Sequence, residues 1–311
     1  MNLRPVVCLM GPTASGKTDI AVRLHRLFPM DIVSVDSALV YRGMDIGTAK
    51  PDAETLGLAP HRLIDIREPD EVYSAGDFVA DAHREIDLIH ASGRVPLLVG
   101  GTMMYFRSLT EGLADLPRAN EDVRQRLDAE AAEHGWPQLH ARLSSVDPAA
   151  AERISQNDSQ RIQRALEVYE LSGKTLTDWH ANATSPAIPY RFIKIALIPE
   201  DRQRLHERIR QRFEQMLDQG IVDEVRSLMQ RSGLSAESAS MRAVGYRQVW
   251  AHLDGEYDLP MAIEKAVIAT RQLAKRQMTW LRTEKQLKSF DPLEIGTFES
   301  ISTHLAKQMD E

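Results

Sequence analysis

The chain has 311 residues, a formal net charge of −7 at pH 7 and a single cysteine, and these values exclude several classes of protein. A hydrophobic share of 43% beside 27% charged residues is typical of a globular protein with one large core or two unequal domains. No apolar run approaches the roughly 18 residues that a membrane span needs, and the N-terminus has no signal-peptide pattern. Cys8 alone allows neither an internal disulfide nor a cysteine-based zinc site. We expect a cytoplasmic monomer with no membrane partner.

The strongest motif matches G-x-x-x-x-G-K-[ST] at every fixed position. It reads, in order, Gly11, Pro12, Thr13, Ala14, Ser15, Gly16, Lys17 and Thr18. An apolar run over residues 6–10 predicts a buried strand before it, and an apolar stripe of period 3.6 predicts a helix after it. Strand, glycine loop and helix start together predict a P-loop, in which backbone N–H groups bind phosphate, Lys17 reaches a terminal phosphate oxygen and Thr18 holds Mg²⁺. The alternative is a chance glycine turn before a helix, which the flanking strand disfavours.

Two further strands are predicted to end beside this loop. Residues 31–35 lead to Asp36, and residues 94–99 lead to Gly100-Gly101-Thr102. Groups at the carboxyl ends of parallel strands face the ligand crevice, so Asp36 should meet whatever the P-loop binds. The alternatives are that Asp36 only caps the next helix and that the two glycines form a tight turn without a ligand. An ordinary P-loop NTPase ends such a strand with an acidic residue that helps to hold Mg²⁺, and Thr102 in that region counts against this class.

The middle of the chain changes character, because residues 117–189 show helical periodicity and no convincing strand. A strand over residues 191–199 should then rejoin the sheet, and the remainder is predicted to be helical. The predicted fold is therefore α/β, with a P-loop-type parallel sheet flanked by helices in residues 1–116 and 190–311. An all-helical subdomain, residues 117–189, is inserted in it.

Basic side chains cluster on predicted helices despite the acidic total. The basic residues are Arg161 and Arg164, flanked by Gln160 and Gln163, on one helix and Arg271, Lys275 and Arg282 on another. Such faces are more often solvated surface than binding sites, although several of them on an acidic protein favour a polyanion. The segment 240–248 adds arginines and a tyrosine around a glycine. That mixture can stack on a base and pair with phosphate, or can simply form a helix junction.

Six segments in this order resemble the tRNA dimethylallyltransferase family. They are GPTASGKT at 11–18, DSALVYRGMDIGTAKP at 36–51, PHRLIDI at 60–66, GGT at 100–102, NDSQRIQRALEV at 157–168 and MRAVGYRQ at 241–248. The resemblance runs from the N-terminus to about Leu281, which is nearly the whole chain. A P-loop alone would be weak evidence, whereas this series in this order is specific, and it resembles a bacterial form.

The resemblance implies transfer of the dimethylallyl group from dimethylallyl diphosphate to the exocyclic amine of the adenosine 3′-adjacent to the anticodon in tRNA, with release of diphosphate. It implies Mg²⁺ as cofactor and the tRNA anticodon stem-loop as partner, with the target base taken out of its stack. Thr13, Lys17 and Asp36 are implied to be catalytic, with Asp36 as general base. The residues implied to bind tRNA are Asp36, Ser37, Ala38, Leu39, Thr102, Arg124, Gln160, Arg161, Ile162, Gln163, Arg164, Met241, Arg242, Ala243, Val244, Gly245, Tyr246, Arg271, Lys275, Arg276 and Arg282.

Two other functions stay open from the residues alone. A small-molecule kinase that binds ATP explains the P-loop and Asp36 equally well, but leaves the Gly100-Gly101-Thr102 ending and the basic helices unexplained. A non-catalytic RNA-binding protein with a degenerate nucleotide site is disfavoured by the intact Lys17 and Thr18. Incubation with unmodified tRNA and dimethylallyl diphosphate would separate the three: prenylated adenosine favours the transferase, ATP turnover without tRNA favours the kinase, and neither activity favours the binding protein.

Overall fold

The computed structural model describes residues 3–114, 116–182 and 188–310. The chain forms two compact units. The first, here called the sheet unit, comprises Met1–Thr110 and Pro189–Glu311, and the second, the helical unit, comprises Glu111–Ile188. The predicted fold class is confirmed, since the chain contains a parallel sheet with flanking helices and a separate helical unit. Residues 183–187, which the sequence analysis placed in the helical subdomain, lie outside the described residues.

The sheet unit contains six parallel strands. They are β1 (Arg4–Met10), β2 (Met30–Val35), β3 (His61–Arg62), β4 (Val95–Gly100), β5 (Tyr190–Leu197) and β6 (Leu287–Phe290). Their order is β3-β2-β4-β1-β5-β6, and Gly100 is in register with both Met10 and Val35. The carboxyl ends of β1, β2 and β4 therefore lie side by side, and β4 between β1 and β2 creates the crevice that such sheets use for ligands.

The helices of both units follow in chain order. They are α1 (Lys17–Leu27), α2 (Ala53–Leu58), α3 (Ala75–Ala91), α4 (Met103–Glu111), α5 (Glu121–His134), α6 (Trp136–Val146), α7 (Pro148–Arg153), α8 (Ser159–Ser172), α9 (Leu176–Ala181), α10 (Arg202–Asp218), α11 (Ile221–Met229), α12 (Tyr246–Leu253), α13 (Leu259–Leu281) and α14 (Thr297–Asp310), with a 3₁₀ turn at Ser240–Arg242. None of the described helices is both long enough and apolar enough to cross a membrane.

Local sequence explains the best-predicted elements. Strand β1 is buried continuously from Val6 to Met10 because it lies inside a parallel sheet that helices cover, so its apolar run has no polar alternation. Helix α3 starts at a capping box in which the Ser74 hydroxyl accepts from the Asp77 N–H, and the Asp77 carboxylate accepts from the Ser74 N–H. Its buried stripe places one apolar face on the sheet unit's core.

The prediction that the chain after residue 199 is helical is wrong at β6. This strand has four residues, pairs only with β5 at the edge of the sheet, and leaves Lys288 and Ser289 exposed. A short edge strand of this kind needs no apolar run, so the sequence carried no periodic signal for it.

The helical unit has a core of its own. Its members include Val123, Leu127, Leu139, Leu143, Ile162 and Leu166, which come from α5, α6 and α8. These residues recur at intervals of four along each helix, so each helix presents one apolar face to the others. Ile162 is fully buried in this core.

Candidate active site

A cleft of about 910 Å³ lies at the carboxyl ends of β1, β2 and β4. Its walls also include residues of α10 and α13. The cleft brings together these sequence-predicted residues: Thr13, Ala14, Gly16, Lys17, Thr18, Asp36, Ser37, Ala38, Leu39, Thr102, Arg242, Ala243, Val244 and Arg276. The predicted phosphate site and the predicted general base thus share one cavity within the sheet unit.

The loop between β1 and α1 has the backbone of an anion site. Ala14 and Gly16 adopt left-handed conformations, with φ of 63° and 86°, and α1 begins at the next residue, Lys17. Such a curved loop at a helix N-terminus directs N–H groups to a common point. Gly11, Pro12 and Ser15, which belong to the same loop, are buried.

Lys17 is the cation of this loop, and its Nζ donates to the Pro12 carbonyl at 2.7 Å. Burial lowers the pKa of Lys17 to about 7, while the negative charge of Asp36 opposes this shift and the positive charge of Arg212 adds to it. Because a bound diphosphate would favour the charged form, we expect it to raise this pKa. The charged form of Lys17 is therefore more stable with an anion bound beside it than in the empty cleft.

Asp36 follows β2 and lines the cleft, and its Oδ1 accepts from the N–H groups of Ala38 at 2.9 Å and Leu39 at 3.4 Å. The carboxylate therefore closes a turn. The alternative that Asp36 caps the next helix is wrong, since α2 begins only at Ala53. The neighbouring Ser37 N–H donates to Thr102 Oγ1 at 3.0 Å, which joins the end of β2 to the end of β4.

The two glycines at the end of β4 allow close approach of the protein's own groups. A Cβ on Gly100 would collide with the backbone carbonyl of Val35, and a Cβ on Gly101 would lie 2.5 Å from Gln277 Nε2. Both glycines also line the cleft. The groups that approach the two glycines belong to β2 and α13.

Two cations of the cleft, Arg208 and Arg212 on α10, are not among the residues predicted from the sequence. Burial lowers the pKa of Arg212, with Asp36 opposing the shift and Arg208 adding to it. The two arginines are one helical turn apart, next to the buried Ile209 and Phe213. Arg204 and Arg210 also stand next to buried apolar residues of this helix, so the sequence has no local signal that separates the two cleft arginines from the others.

Gln277 is a further residue of the cleft that the sequence patterns did not indicate. It is 9% exposed and hydrogen-bonds both to Thr13 and to Gly101. It lies three residues after the buried Ala274, where the apolar stripe of α13 calls for an apolar side chain. A glutamine where the pattern calls for an apolar residue is the sequence signal that could have identified this position.

Several residues predicted to bind tRNA have enclosed side chains. Met241 and Tyr246 are 0% exposed, and Gly245 is buried. The Tyr246 hydroxyl donates to Glu224 at 2.5 Å, and burial together with this carboxylate raises the pKa of Tyr246. The interpretation in which the Tyr246 ring stacks on a base is therefore wrong, because the ring is packed inside the protein. Ile162 is likewise a core residue of the helical unit.

The basic face of α13 contributes unequally. Arg276 lines the cleft, whereas Arg271, Lys275 and Arg282 are not among the described residues that line it. Lys275 and Arg282 are exposed, and the Nε of Arg271 is buried without a partner within the described part of the chain. Contacts of these three residues with tRNA stay predictions.

In the helical unit, Arg124 and Arg164, two residues that were predicted to bind tRNA, contact a buried carboxylate. Arg124 Nε and Arg164 Nη1 donate to Glu167 at 2.9 Å and 2.6 Å, and the Asn120 N–H donates to it at 2.9 Å. The Glu167 side chain is 0% exposed. Burial alone would raise the pKa of Glu167, but these hydrogen bonds outweigh it and hold the pKa below its ordinary value. Both arginines thus have a structural role.

The other polar residues of this face differ in accessibility. Gln160 is exposed, and the Arg161 side chain is 70% exposed beside Asp158 at 3.5 Å. Gln163 Nε2 donates to Asp128 at 2.7 Å. Arg161 is therefore the basic residue of this face whose charge is most accessible to a polyanion.

Thr18, the predicted metal ligand, is exposed and lines the cleft. No group of three His, Cys, Asp or Glu side chains that could hold a metal ion occurs among residues 3–114, 116–182 and 188–310. A hydroxyl supplemented by phosphate oxygens is an all-oxygen ligand set, which suits Mg²⁺.

The fold and the cleft define a P-loop-type α/β protein that presents a carboxylate to a phosphate site. The sequence profile of the IPP transferase family matches residues 39–284. A protein of Thiobacillus denitrificans named tRNA dimethylallyltransferase is 59% identical over 91% of this chain and 90% of its own length. One of the same name from Coxiella burnetii is 54% identical over 94% of each chain. The chain belongs to the IPP transferase family.

A solved structure agrees with this assignment. The tRNA isopentenylpyrophosphate transferase of Bacillus halodurans is 36% identical to this chain and has a TM-score of 0.73. The comparison covers 99% of this chain and 97% of that one. The family resemblance seen in the sequence is confirmed.

Proposed function

We propose that this protein transfers the dimethylallyl group of dimethylallyl diphosphate to the exocyclic amine of the adenosine 3′-adjacent to the anticodon in tRNA, and releases diphosphate. The observation that carries the proposal is the cleft itself, where Lys17 and Arg212 meet the carboxylate of Asp36. One end of the cleft suits a diphosphate, and the other suits an amine that must lose a proton. The family and the names of the relatives supply the substrates.

The cationic end would stabilise the leaving group. When the bond between the allylic carbon and oxygen breaks, its electron pair goes to the diphosphate, whose negative charge grows. Lys17, Arg208 and Arg212 line this part of the cleft together with the N-terminus of α1. Donors that are already in place where charge develops lower the barrier without reorganisation, and removing one of them typically costs about 3 kcal/mol.

Mg²⁺ would be held by the Thr18 hydroxyl together with oxygens of the donor diphosphate. When bound, it would neutralise part of the charge on the departing diphosphate. Thr18 follows Lys17 at the start of α1, so the hydroxyl and the ammonium group approach the same anion from one helix turn. Mg²⁺ is a proposal that rests on this oxygen donor set.

Asp36 would act as the general base. The lone pair of an exocyclic adenine amine is delocalised into the ring, so the amine is a poor nucleophile. As the nitrogen–carbon bond forms, one amine proton passes to the Asp36 carboxylate. Asp36 Oδ1 already accepts two backbone N–H groups, which leaves Oδ2 for the amine.

The acceptor would be tRNA, which would bind at the rim of the cleft. Arg242 and Arg276 are exposed residues that line it, and Thr102 lies beside Asp36 through its hydrogen bond to Ser37. The base has to leave the anticodon-loop stack to reach this position. The kinase interpretation loses support, because the relatives are transferases that are named for tRNA. Monomeric state and cytoplasmic location stay predictions.

The test is a product assay with an unmodified anticodon stem-loop RNA and dimethylallyl diphosphate. We expect prenylated adenosine and diphosphate in equal amounts, detected by mass spectrometry and by a phosphate assay. Lys17→Ala should abolish turnover at saturating donor and leave tRNA binding largely intact, whereas Lys307→Ala, an exposed lysine of α14, should keep full activity. Near-normal turnover in Lys17→Ala, or ATP turnover without tRNA, would refute the proposal.

A further inference from the structure

Gln277 joins two loops that are distant in sequence. Its Oε1 accepts from the Thr13 N–H at 2.9 Å, and its Nε2 donates to the Gly101 carbonyl at 2.8 Å. Only this orientation of the amide satisfies both partners, because the reverse would place donor against donor and acceptor against acceptor. The side chain therefore makes both hydrogen bonds only when the P-loop and the end of β4 are correctly spaced.

Stability alone does not explain an amide at this position. Gln277 is 9% exposed, and its neighbours on the buried face of α13 are Ala274, Met278 and Leu281. A methionine would fill a similar volume there without the cost of burying a polar group, which an amide recovers only when both bonds are made. The amide supplies orientation, which a methionine does not.

The two partners of Gln277 lead to the two sides of the proposed reaction. Thr13 belongs to the loop that would bind the donor diphosphate. Gly101 precedes Thr102, whose hydroxyl accepts from the Ser37 N–H, and Ser37 follows Asp36. A continuous series of hydrogen bonds and peptide links thus runs from the phosphate loop through α13 to the carboxylate.

We propose that Gln277 is a positioning residue that sets the spacing between the donor-binding loop and Asp36. The role rests on the proposed function, and Gln277 acts through Thr13 and Gly101 rather than on the reacting atoms. A misplacement of about 1 Å between reacting groups can cost about 10²-fold in rate. Its loss should therefore slow the chemical step while each substrate still binds.

The first test is single-turnover kinetics of Gln277→Met and Gln277→Glu. Gln277→Met keeps the volume and removes both hydrogen bonds, so we expect a rate about 10²-fold lower, with KM for donor and tRNA changed by less than about threefold. Gln277→Glu keeps the acceptor for the Thr13 N–H and should recover part of the rate. Met278→Ala, at the adjacent buried position, is the matched control, and should lower the melting temperature and keep the rate.

The second test uses Gly101→Ala, which pushes the amide away because its Cβ would lie 2.5 Å from Gln277 Nε2. We expect it to slow the reaction as Gln277→Met does. In a Gln277→Ala background the same change should cost little more, because the two substitutions break one contact. This variant keeps the proposal testable if Gln277→Met folds poorly.

An active wild-type protein with an unimpaired Gln277→Met would overturn the positioning role alone. A raised KM with an unchanged rate, or a rate loss that Met278→Ala reproduces, would overturn it as well. A wild-type protein that does not prenylate RNA would instead overturn the proposed function, so the two failures are distinguishable.

Discussion

Donor binding should weaken above neutral pH because Lys17 loses its charge there. Burial lowers the pKa of this lysine to about 7 from an ordinary value of 10.5. The charged form binds an anionic diphosphate, so the donor favours protonation of Lys17. Affinity is therefore highest below the pKa of the free protein and falls as the pH rises through it, until the pH reaches the higher pKa of the complex.

The size of the effect follows from the fraction of Lys17 that stays charged. With a pKa of about 7, that fraction is roughly one in ten at pH 8 and one in a hundred at pH 9. Because only the competent fraction binds, the apparent affinity falls about tenfold per pH unit, or about 1.4 kcal/mol. Lys17→Arg provides the control, since a guanidinium keeps its charge across this range.

The assay is kcat/KM for dimethylallyl diphosphate at saturating tRNA, measured between about pH 6 and pH 9. Wild type should show a falling alkaline limb with an apparent pKa near 7, and Lys17→Arg should lose that limb. Ionisation of the donor is shared by both proteins and cancels in the ratio of their rates. A constant ratio across the range would show that Lys17 stays charged, and would refute the reasoning.

Three substitutions extend these expectations. Asp36→Asn should lower the single-turnover rate by about 10²–10⁴-fold, with donor and tRNA binding much less affected; lost affinity at an unchanged rate would make Asp36 a binding residue. Arg164→Ala removes a partner of the buried Glu167 and should destabilise the protein by about 1–3 kcal/mol in thermal unfolding; an unchanged melting temperature would contradict the structural role. Arg161→Ala should keep stability and reduce the salt slope of tRNA KM by about 0.7–0.9, whereas an unchanged slope would identify a solvated surface.

Local patterns explain why much of the sheet unit was predictable. The P-loop depends on contiguous residues, and its preceding strand is a continuous apolar run because a parallel sheet buries both faces. Asp36 could be placed in the cleft because it directly follows such a run at the carboxyl end of a strand. Helix α3 could be predicted from the cap at Ser74, which is also a local signal.

Other parts of the cleft depend on packing between distant segments. Gln277 bonds to Thr13 across 264 positions of sequence. Arg212 stands in α10 among several other arginines, and nothing in its immediate neighbours indicates which of them faces the cleft. The tertiary structure decides which face of a helix contacts the strand ends. Periodicity therefore predicts the helices but not the segments against which they pack.

The basic face of α8 shows how a buried carboxylate changes the meaning of an arginine. Arg164 donates through Nη1 to Glu167 and through Nη2 to the Pro117 carbonyl. Removing one hydrogen-bond partner of a buried group typically costs about 1–3 kcal/mol, more than an exposed ion pair returns. A guanidinium has five N–H donors, so Arg164 can bind a phosphate only with those that remain, while it stays bonded to Glu167. We therefore expect Arg161, 70% exposed beside it, to supply the salt-dependent part of RNA binding on this face.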